Sequence, residues 1–485
     1  MRFETGFQAR IRDDVRWVDG DVVIGGSPLR AVRLTAAARC LLDDGTVTVT
    51  DAATDRLAGR LVDGNVADPV LSGVGVDPAD LTVVIPVRDR PEQLDRALAS
   101  LHGLHRIVVD DASHDPDAVA AVVLRHGAHL VRLVTNRGPA GARNAGLREV
   151  RTPMVAFVDS DVTVDAATLL RLTRHFVDRR VALVAPLVRS RARSGAPRWF
   201  ERFDEEDSSL ALGTRACVVR PGAAVGWLPS ACLVGRVDRL GDGFEETMRV
   251  GEDVDLVWRL VDAGHVVRYD PAEVASHDTR TTVRGWLGRK YLYGTGGAIL
   301  AARHGRKGAP AVMSATMAVT AAAVLVRRRW SLPVVALGLA HGARSLSRRL
   351  PDTPARGRLA LRLAVQGLGW ALRQESALLL RHWWPLAAVA APWSRTVRRA
   401  LVSSLLVDGV VARIDHPGAR FRPISRRLDD LAYGAGLWMG ALRGRSVRCL
   451  LPRRPGAGAH GPVTPPPTAA ARAVGSARES TSPIG

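Results

Sequence analysis

Met154-Val155-Ala156-Phe157-Val158-Asp159-Ser160-Asp161 is the stretch on which the reading of this chain turns. Five apolar residues in a row suit a strand buried on both faces, as in a parallel sheet. Two carboxylates one residue apart follow directly, and in open α/β sheets ligands gather at the carboxyl ends of the strands. Asp-x-Asp at such an end can hold a hard divalent cation through oxygen, leaving its other positions to water and phosphate. Asp and Ser are also ordinary turn residues, so standing alone the tripeptide reads more readily as a turn.

Outward from it the pattern repeats. Apolar runs over 81–86, 105–110 and 130–134 precede it and one over 181–186 follows. Helical stretches begin near Pro139 and cover 165–178. Strands alternating with helices predict an α/β domain with a parallel sheet, placed over 80–300. Residues 1–75 read as a smaller α+β unit, with strands over 21–24 and 46–49, a helix over 34–42 capped by Thr35, and a loose linker over 63–80. Residues 309–326 carry no charge and end at Arg327-Arg328-Arg329, just long enough for a membrane span. Shorter apolar stretches over 331–343, 382–394 and 401–411 suit helices lying in the membrane interface. Residues 305–450 are therefore expected to form a helical, apolar and basic region at the cytoplasmic face of the cell membrane. Residues 452–485, rich in Pro, Gly and Ala, are expected to be a disordered tail.

Composition narrows the function. The 485 residues are 47% hydrophobic, and the 4 cysteines form no Cys-x-x-Cys pair, which argues against a zinc ribbon or disulfide framework. The net charge of +20 comes almost wholly from Arg, and its densest groups lie among apolar stretches after residue 300. That placement fits an anionic membrane surface better than nucleic acid, which is not expected as a partner. The first residues, Met1-Arg2-Phe3-Glu4-Thr5, lead into no apolar core of a secretory signal, so the catalytic region is expected to stay in the cytoplasm.

Several elements then occur in an order that a nucleotide-sugar site needs. Pro86 ends the first strand where a base-binding loop would begin, and Asp110-Asp111 end the second. A carboxylate there can accept from the imide N–H of uracil, although acids before a helix also serve as caps. In the run 136–146, Gly138 and Gly141 let backbone approach a nucleotide, and the helix start offers N–H groups to phosphate. Arg143 adds a fixed positive charge, with Asn144 beside it and Ser160 between the two aspartates as further donor-site residues. No Gly-x-x-x-x-Gly-Lys-Ser/Thr is present, which leaves an ATPase-type loop unsupported. Gly251-Glu252-Asp253-Val254-Asp255 opens an amphipathic helix. The helix dipole accounts for part of this acidity, yet an acceptor hydroxyl also needs a base as it attacks. Asp253 is the first candidate for that base, with Glu252 and Asp255 in support. His277, after a strand-like 266–269, can add an imidazole to a metal shell, although a lone His is usually structural.

Taken in order, Val84-Ile85-Pro86, Val109 to Ser113, Asn136 to Gly146, Asp159-Ser160-Asp161, Gly251-Glu252-Asp253 and His277 closely resemble glycosyltransferase family 2 with its GT-A fold. The resemblance implies a UDP-sugar donor, a divalent metal (Mn2+ or Mg2+) on Asp159, Asp161 and His277, uracil recognition by Asp111, and Asp253 as the base of an inverting displacement. The Gln-x-x-Arg-Trp motif of processive synthases is not found where that family would place it, so polymer extrusion is not expected. Thr5-Gly6-Phe7, Gly25-Gly26-Ser27-Pro28 and the basic C-terminal region make the layout similar to the mycofactocin-system branch of the family. Its acceptor is a peptide-derived redox cofactor that receives a short chain of β-linked glucose. Residues 1–75 are similar to small winged-helix modules that bind leader peptides. The competing readings are a transferase for cell-envelope glycolipid or polysaccharide, a nucleotidyltransferase and a non-catalytic peptide-binding scaffold.

Overall fold

The structure is a computed structural model that describes residues 1–455 except 74, 416, 417, 419 and 421. Its centre is a nine-stranded sheet. The main path runs Val162–Thr163, Val266–Asp278, Val181–Arg191, Cys232–Arg236, Met154–Val158, Leu81–Val87, His105–Asp110, His129–Arg132, and Cys217–Val218 pairs with Val266–Asp278. Val, Ile and Leu fill these strands because both faces are covered, and branched side chains pack well on a pleated surface. Leu94, Leu98 and Leu169 lie in the apolar layer on one face. Ala140, Ala142, Leu256 and Trp258 lie in that on the other. A Cβ on Gly146 would stand 2.4 Å from Val84 Cγ1, so glycine lets the helix Gly138–Glu149 settle directly onto the sheet.

The expected strands are all present, four of them as one parallel block from 129–132 to 154–158. The sheet as a whole is mixed, which corrects the expectation of a parallel one. Cys232–Arg236, unforeseen, runs antiparallel to both Met154–Val158 and Val181–Arg191. It brings Ala231 beside the turn that follows Met154–Val158, where Asp159 N–H donates to the Ala231 carbonyl at 3.0 Å.

The N-terminal unit holds two three-stranded antiparallel sheets. Thr35 caps a short helix, Ala36–Cys40, by accepting from Ala38 N–H. The longer helix Ala52–Asp63 was missed, although Asp51 and Thr54 form a capping box at its start. The expected linker is partly a strand, because Ala67–Pro69 pairs with Gln8–Ile11. Asn65 then fastens the unit to the large sheet, accepting from Val218 N–H at 2.6 Å.

Helices make up the C-terminal region, and here the expected span is corrected. Among the described residues no helix is long and apolar enough to cross a membrane. Pro310 and the Ser314 cap break the uncharged run, leaving a helix of 12 residues, Ala315–Val326. Ala311 and Met313 turn instead into a protein core with Leu378, and the backbone of 311–313 bonds that of Arg453. The start of the expected tail is thus built into the fold, while 456–485 lies outside the described residues. Further on, Pro423–Arg443 packs along Val283–His304 backbone to backbone. A Cβ on Gly436 would lie 1.9 Å from the Tyr291 carbonyl oxygen, and one on Gly294 2.1 Å from that of Tyr433. All 4 cysteines are free.

Candidate active site

The loops at the carboxyl ends of the parallel block converge. Leu81–Val87 delivers Pro86, aligned with Val109, and the loops beyond it and beyond His105–Asp110 pass through left-handed backbone at Asp89 (φ 56°) and Ala112 (φ 57°). Such conformations are unfavourable for side-chain-bearing residues and cluster at functional sites. Asp110 is buried and accepts from Ser113 N–H at 3.0 Å, so it shapes the turn. Asp111, also buried, reaches across to accept from Arg137 N–H at 2.7 Å. Burial pushes its carboxyl above the ordinary range. It joins the loop after His105–Asp110 to the loop before Gly138–Glu149. Gly138 takes φ 76°, and a Cβ on Gly141 would meet Arg137 Cβ at 2.5 Å, so both glycines serve the tight entry into the helix.

Arg143 is the electrostatic hub. Fully enclosed, it donates to Asp159 Oδ1 at 2.5 Å and to Glu252 Oε1 at 3.0 Å, and stacks over Phe244. Burial would favour loss of its proton, but the two carboxylates hold it more firmly charged than an ordinary arginine. Asn144, expected at the donor site, engages both side-chain atoms elsewhere. Its Nδ2 donates to the Phe244 carbonyl and Glu246, and its Oδ1 accepts from Phe244 N–H at 2.8 Å. It positions the 243–246 loop.

Asp161 and His277 are brought together by strand register, with Val162 opposite His277 in the antiparallel pair. His277 Nε2 lies 3.5 Å from Asp161 Oδ1. Arg90 and Arg280 both reach Asp161 Oδ2. Burial would raise the Asp161 carboxyl, but His277, Arg90 and Arg289 outweigh it and hold the group below its ordinary range. Among the described residues no three His, Cys, Asp or Glu side chains form a group that could hold a metal ion. Asp159 turns to Arg143 while Asp161 turns to Arg90 and Arg280, so the expected three ligands are neighbours without forming one cage. Ser160 is buried between them.

Glu252–Asp262 carries the second acidic group at its start, behind Gly251 at φ 83°. Its three acids divide the work. Glu252 is the buried partner of Arg143. Asp255 is fully buried and receives Arg259, Arg303 and His304. Burial would raise its carboxyl, but these bonds outweigh that and hold it well below the ordinary range. It is a structural tie to Val283–His304, and a supporting catalytic role does not fit it. Asp253 has no such partner: it accepts from its own neighbour Val254 N–H at 2.8 Å and weakly from Ser230 N–H at 3.3 Å. Burial, and then the adjacent charge of Glu252, push its carboxyl up to about 7. A carboxylate poised near neutral pH is suited to general-base work.

Arg90, Arg280, Arg289 and Ser230 were not singled out from sequence. Arg90 sits in the loop after Pro86, and Arg280 three residues beyond His277, so proximity to quoted motifs could have flagged both. Arg289 stands on a helix, Val283–His304, that apolar periodicity did not reveal.

The family model described as glycosyl transferase family 2 matches residues 82–221. The pre-mycofactocin glycosyltransferase of Mycobacterium tuberculosis is 41% identical over 483 residues, covering 93% of this chain and 98% of that protein. Succinoglycan biosynthesis protein ExoU of Rhizobium meliloti is 26% identical over 204 residues, covering 39% of this chain and 58% of that protein. Among solved structures, mannosyltransferase PcManGT from Pyrobaculum calidifontis, in complex with GDP-Man and Mn2+, has a TM-score of 0.40 and 18% identity, covering 77% of this chain and 89% of that one. With the ordered motifs at the sheet's carboxyl ends and a relative matched along nearly its whole length, the chain belongs to glycosyltransferase family 2, as a glycosyltransferase of the mycofactocin system.

Proposed function

We propose that this enzyme transfers a hexose from UDP-glucose, with inversion at the anomeric carbon, to a peptide-derived redox cofactor or its precursor, building a short β-linked chain. The name of the relative matched along nearly its whole length supports the acceptor class. The observation that carries the mechanism is the Asp253 carboxyl, pushed up to about 7 by burial and by Glu252. The acceptor hydroxyl attacks the anomeric carbon and gives its proton to Asp253. The bond from that carbon to the diphosphate oxygen breaks as the new bond forms, and the nucleoside diphosphate leaves with the electron pair. Arg143 keeps Asp159 and Glu252 in place around this step.

A divalent cation is part of the proposal. Asp159, Asp161 and His277 offer the oxygen and imidazole donors that Mn2+ or Mg2+ accept, and the buried His277 Nδ1 has no hydrogen-bond partner among the described residues. The ion would supply positive charge to a departing diphosphate. Asp111 contacts the uracil, and residues 1–75 recognise the peptide portion of the acceptor as a winged-helix-like module. The C-terminal helices rest on the cytoplasmic face of the membrane. Leu332, Trp393 and Ile424 are 81%, 82% and 74% exposed in a region dense with arginine, which supports that placement.

The test is transfer itself. Purified enzyme is incubated with UDP- and GDP-sugars and peptide-derived acceptors, and products are read by mass. Hexose increments that depend on UDP-glucose, with an inverted anomeric configuration, are expected. Release of pyrophosphate from a nucleoside triphosphate would replace this reading with nucleotidyl transfer.

A further inference from the structure

Val218 lies at an open edge of the large sheet. Its strand Cys217–Val218 pairs on one side with Val266–Asp278, and among the described residues no strand pairs with the other side. The N-terminal unit places a side chain there instead. Asn65, 2% exposed, accepts from Val218 N–H at 2.6 Å, and its Nδ2 donates to the Val218 carbonyl at 3.3 Å and to the Ser27 carbonyl at 3.1 Å. One amide thus offers Val218 both the acceptor and the donor that a neighbouring strand would offer. Asn65 does so from left-handed backbone (φ 56°), which asparagine tolerates better than most residues and which persists only where the surroundings fix it.

From Val218 the chain runs on to the helix Glu252–Asp262. On the way the N-terminal unit holds it twice more: Ala224 N–H donates to Ser27 Oγ at 2.7 Å, and the Arg220 guanidinium donates to the Asp63 carbonyl. Between these, Ala223 N–H donates to the Arg220 carbonyl at 3.0 Å and Arg220 N–H to the Val225 carbonyl at 3.2 Å, which closes 220–225 into a tight turn. Trp258, on Glu252–Asp262, then donates its indole N–H to the Gly226 carbonyl at 2.8 Å. Leu228 is buried in the same apolar layer as Trp258, and Ser230 N–H reaches Asp253 at 3.3 Å. Residues 218–230 therefore form one fastened segment, with the N-terminal unit at its start and the Asp253 carboxyl at its end.

We propose that Asn65 is a positioning residue for glycosyl transfer: by fixing Val218, with Ser27 fixing Ala224, it sets where the Ser230 N–H stands against Asp253. The proposal rests on the reading of Asp253 as the base. An N–H donated to a carboxylate favours its ionised form, so this contact opposes the burial and the Glu252 charge that push Asp253 up. At 3.3 Å the bond is already long, and a small displacement of the segment is enough to lose it. The other charged or titratable groups at Asp253 are Glu252 on its own helix, Arg143 on Gly138–Glu149 and Tyr293 on Val283–His304. Asn65 bonds to none of these.

Full-length wild type, Asn65→Gly, Asn65→Asp and Ser27→Ala are compared by amide hydrogen exchange of residues 219–231 and by kcat/KM from pH 5.5 to 8.5, with KM for UDP-glucose measured alongside. Glycine accepts the left-handed backbone and removes only the amide, which separates lost positioning from backbone strain. In Asn65→Gly the 219–231 amides exchange faster by about tenfold or more, as expected when a local hold is released. The acid limb moves up by about half a pH unit or more, the scale of one lost hydrogen bond, while the rate at pH 8.5 and KM for UDP-glucose stay near wild type. Damage to the fold alone would lower the rate equally at every pH. Asn65→Asp, which keeps the acceptor for Val218 N–H, restores part of both effects, and Ser27→Ala gives a smaller shift in the same direction. Faster exchange and a lower kcat in Asn65→Gly, with no acid limb even in wild type, keep the positioning role and remove the base reading of Asp253. Unchanged exchange in Asn65→Gly, or a wild-type acid limb that stays in place in that variant, overturns the inference.

Discussion

Asp253→Asn tests the heart of the mechanism and can be worked through from the site. The carboxyl is pushed from an ordinary 3.8 up to about 7. That interval corresponds to roughly 4 kcal/mol of preference for the neutral form, an upper bound because solvent reaches part of the group. As a base it must be ionised, so kcat/KM in the wild type should climb with pH and level off above about 7; one pH step lower, roughly a tenth of the enzyme is competent. In Asp253→Asn turnover should drop by about 10²–10⁴ and the acid limb should vanish. Stability has the opposite sign. A folded-state value above the unfolded one means that the folded protein holds the proton between about 4 and 7, so stability is present at low pH and is lost as pH rises through that window. The amide cannot ionise, so Asp253→Asn should melt higher than wild type at pH 8 and close to it at pH 4.5. Steady-state rates from pH 5.5 to 8.5 and paired melting curves read both. A limb that survives in the variant, or a wild-type profile flat over that range, would refute the assignment.

Asp159→Asn and Asp161→Asn should reduce transfer to background and weaken Mn2+ binding by calorimetry, and each should also lower the melting temperature at pH 7, since each removes the carboxylate paired with Arg143 or with Arg90 and Arg280. Gly436→Ala should destabilise by about 1–3 kcal/mol or more in urea melts, because its Cβ would stand 1.9 Å from the Tyr291 carbonyl, and Gly369→Ala, with nothing within 4 Å, should be neutral or stabilise by about 0.5–1 kcal/mol. Full-length protein should sediment with vesicles containing anionic lipid and less with neutral ones, the difference shrinking in high salt; equal recovery in the supernatant with both would remove the membrane proposal.

Much of this enzyme could be read from local sequence, and the reason is physical. The strands 81–87, 105–110 and 154–158 are apolar because both faces are covered, so each run announces itself without its neighbours. The acids at their ends likewise mark the site, because turn, cap and ligand chemistry all act within a few residues. What sequence left open depends on residues far apart. His277 meets Asp161 only because Val266–Asp278 lies antiparallel to Val162–Thr163 in one register. Of three acids within four residues at one helix start, packing alone made Glu252 an arginine partner, Asp255 a structural tie and Asp253 a carboxyl pushed up to about 7, because each meets a different neighbour. The uncharged run at 309–326 shows the same limit: hydropathy measures the wish to leave water, and only the fold decided that Ala311 and Met313 satisfy it in protein.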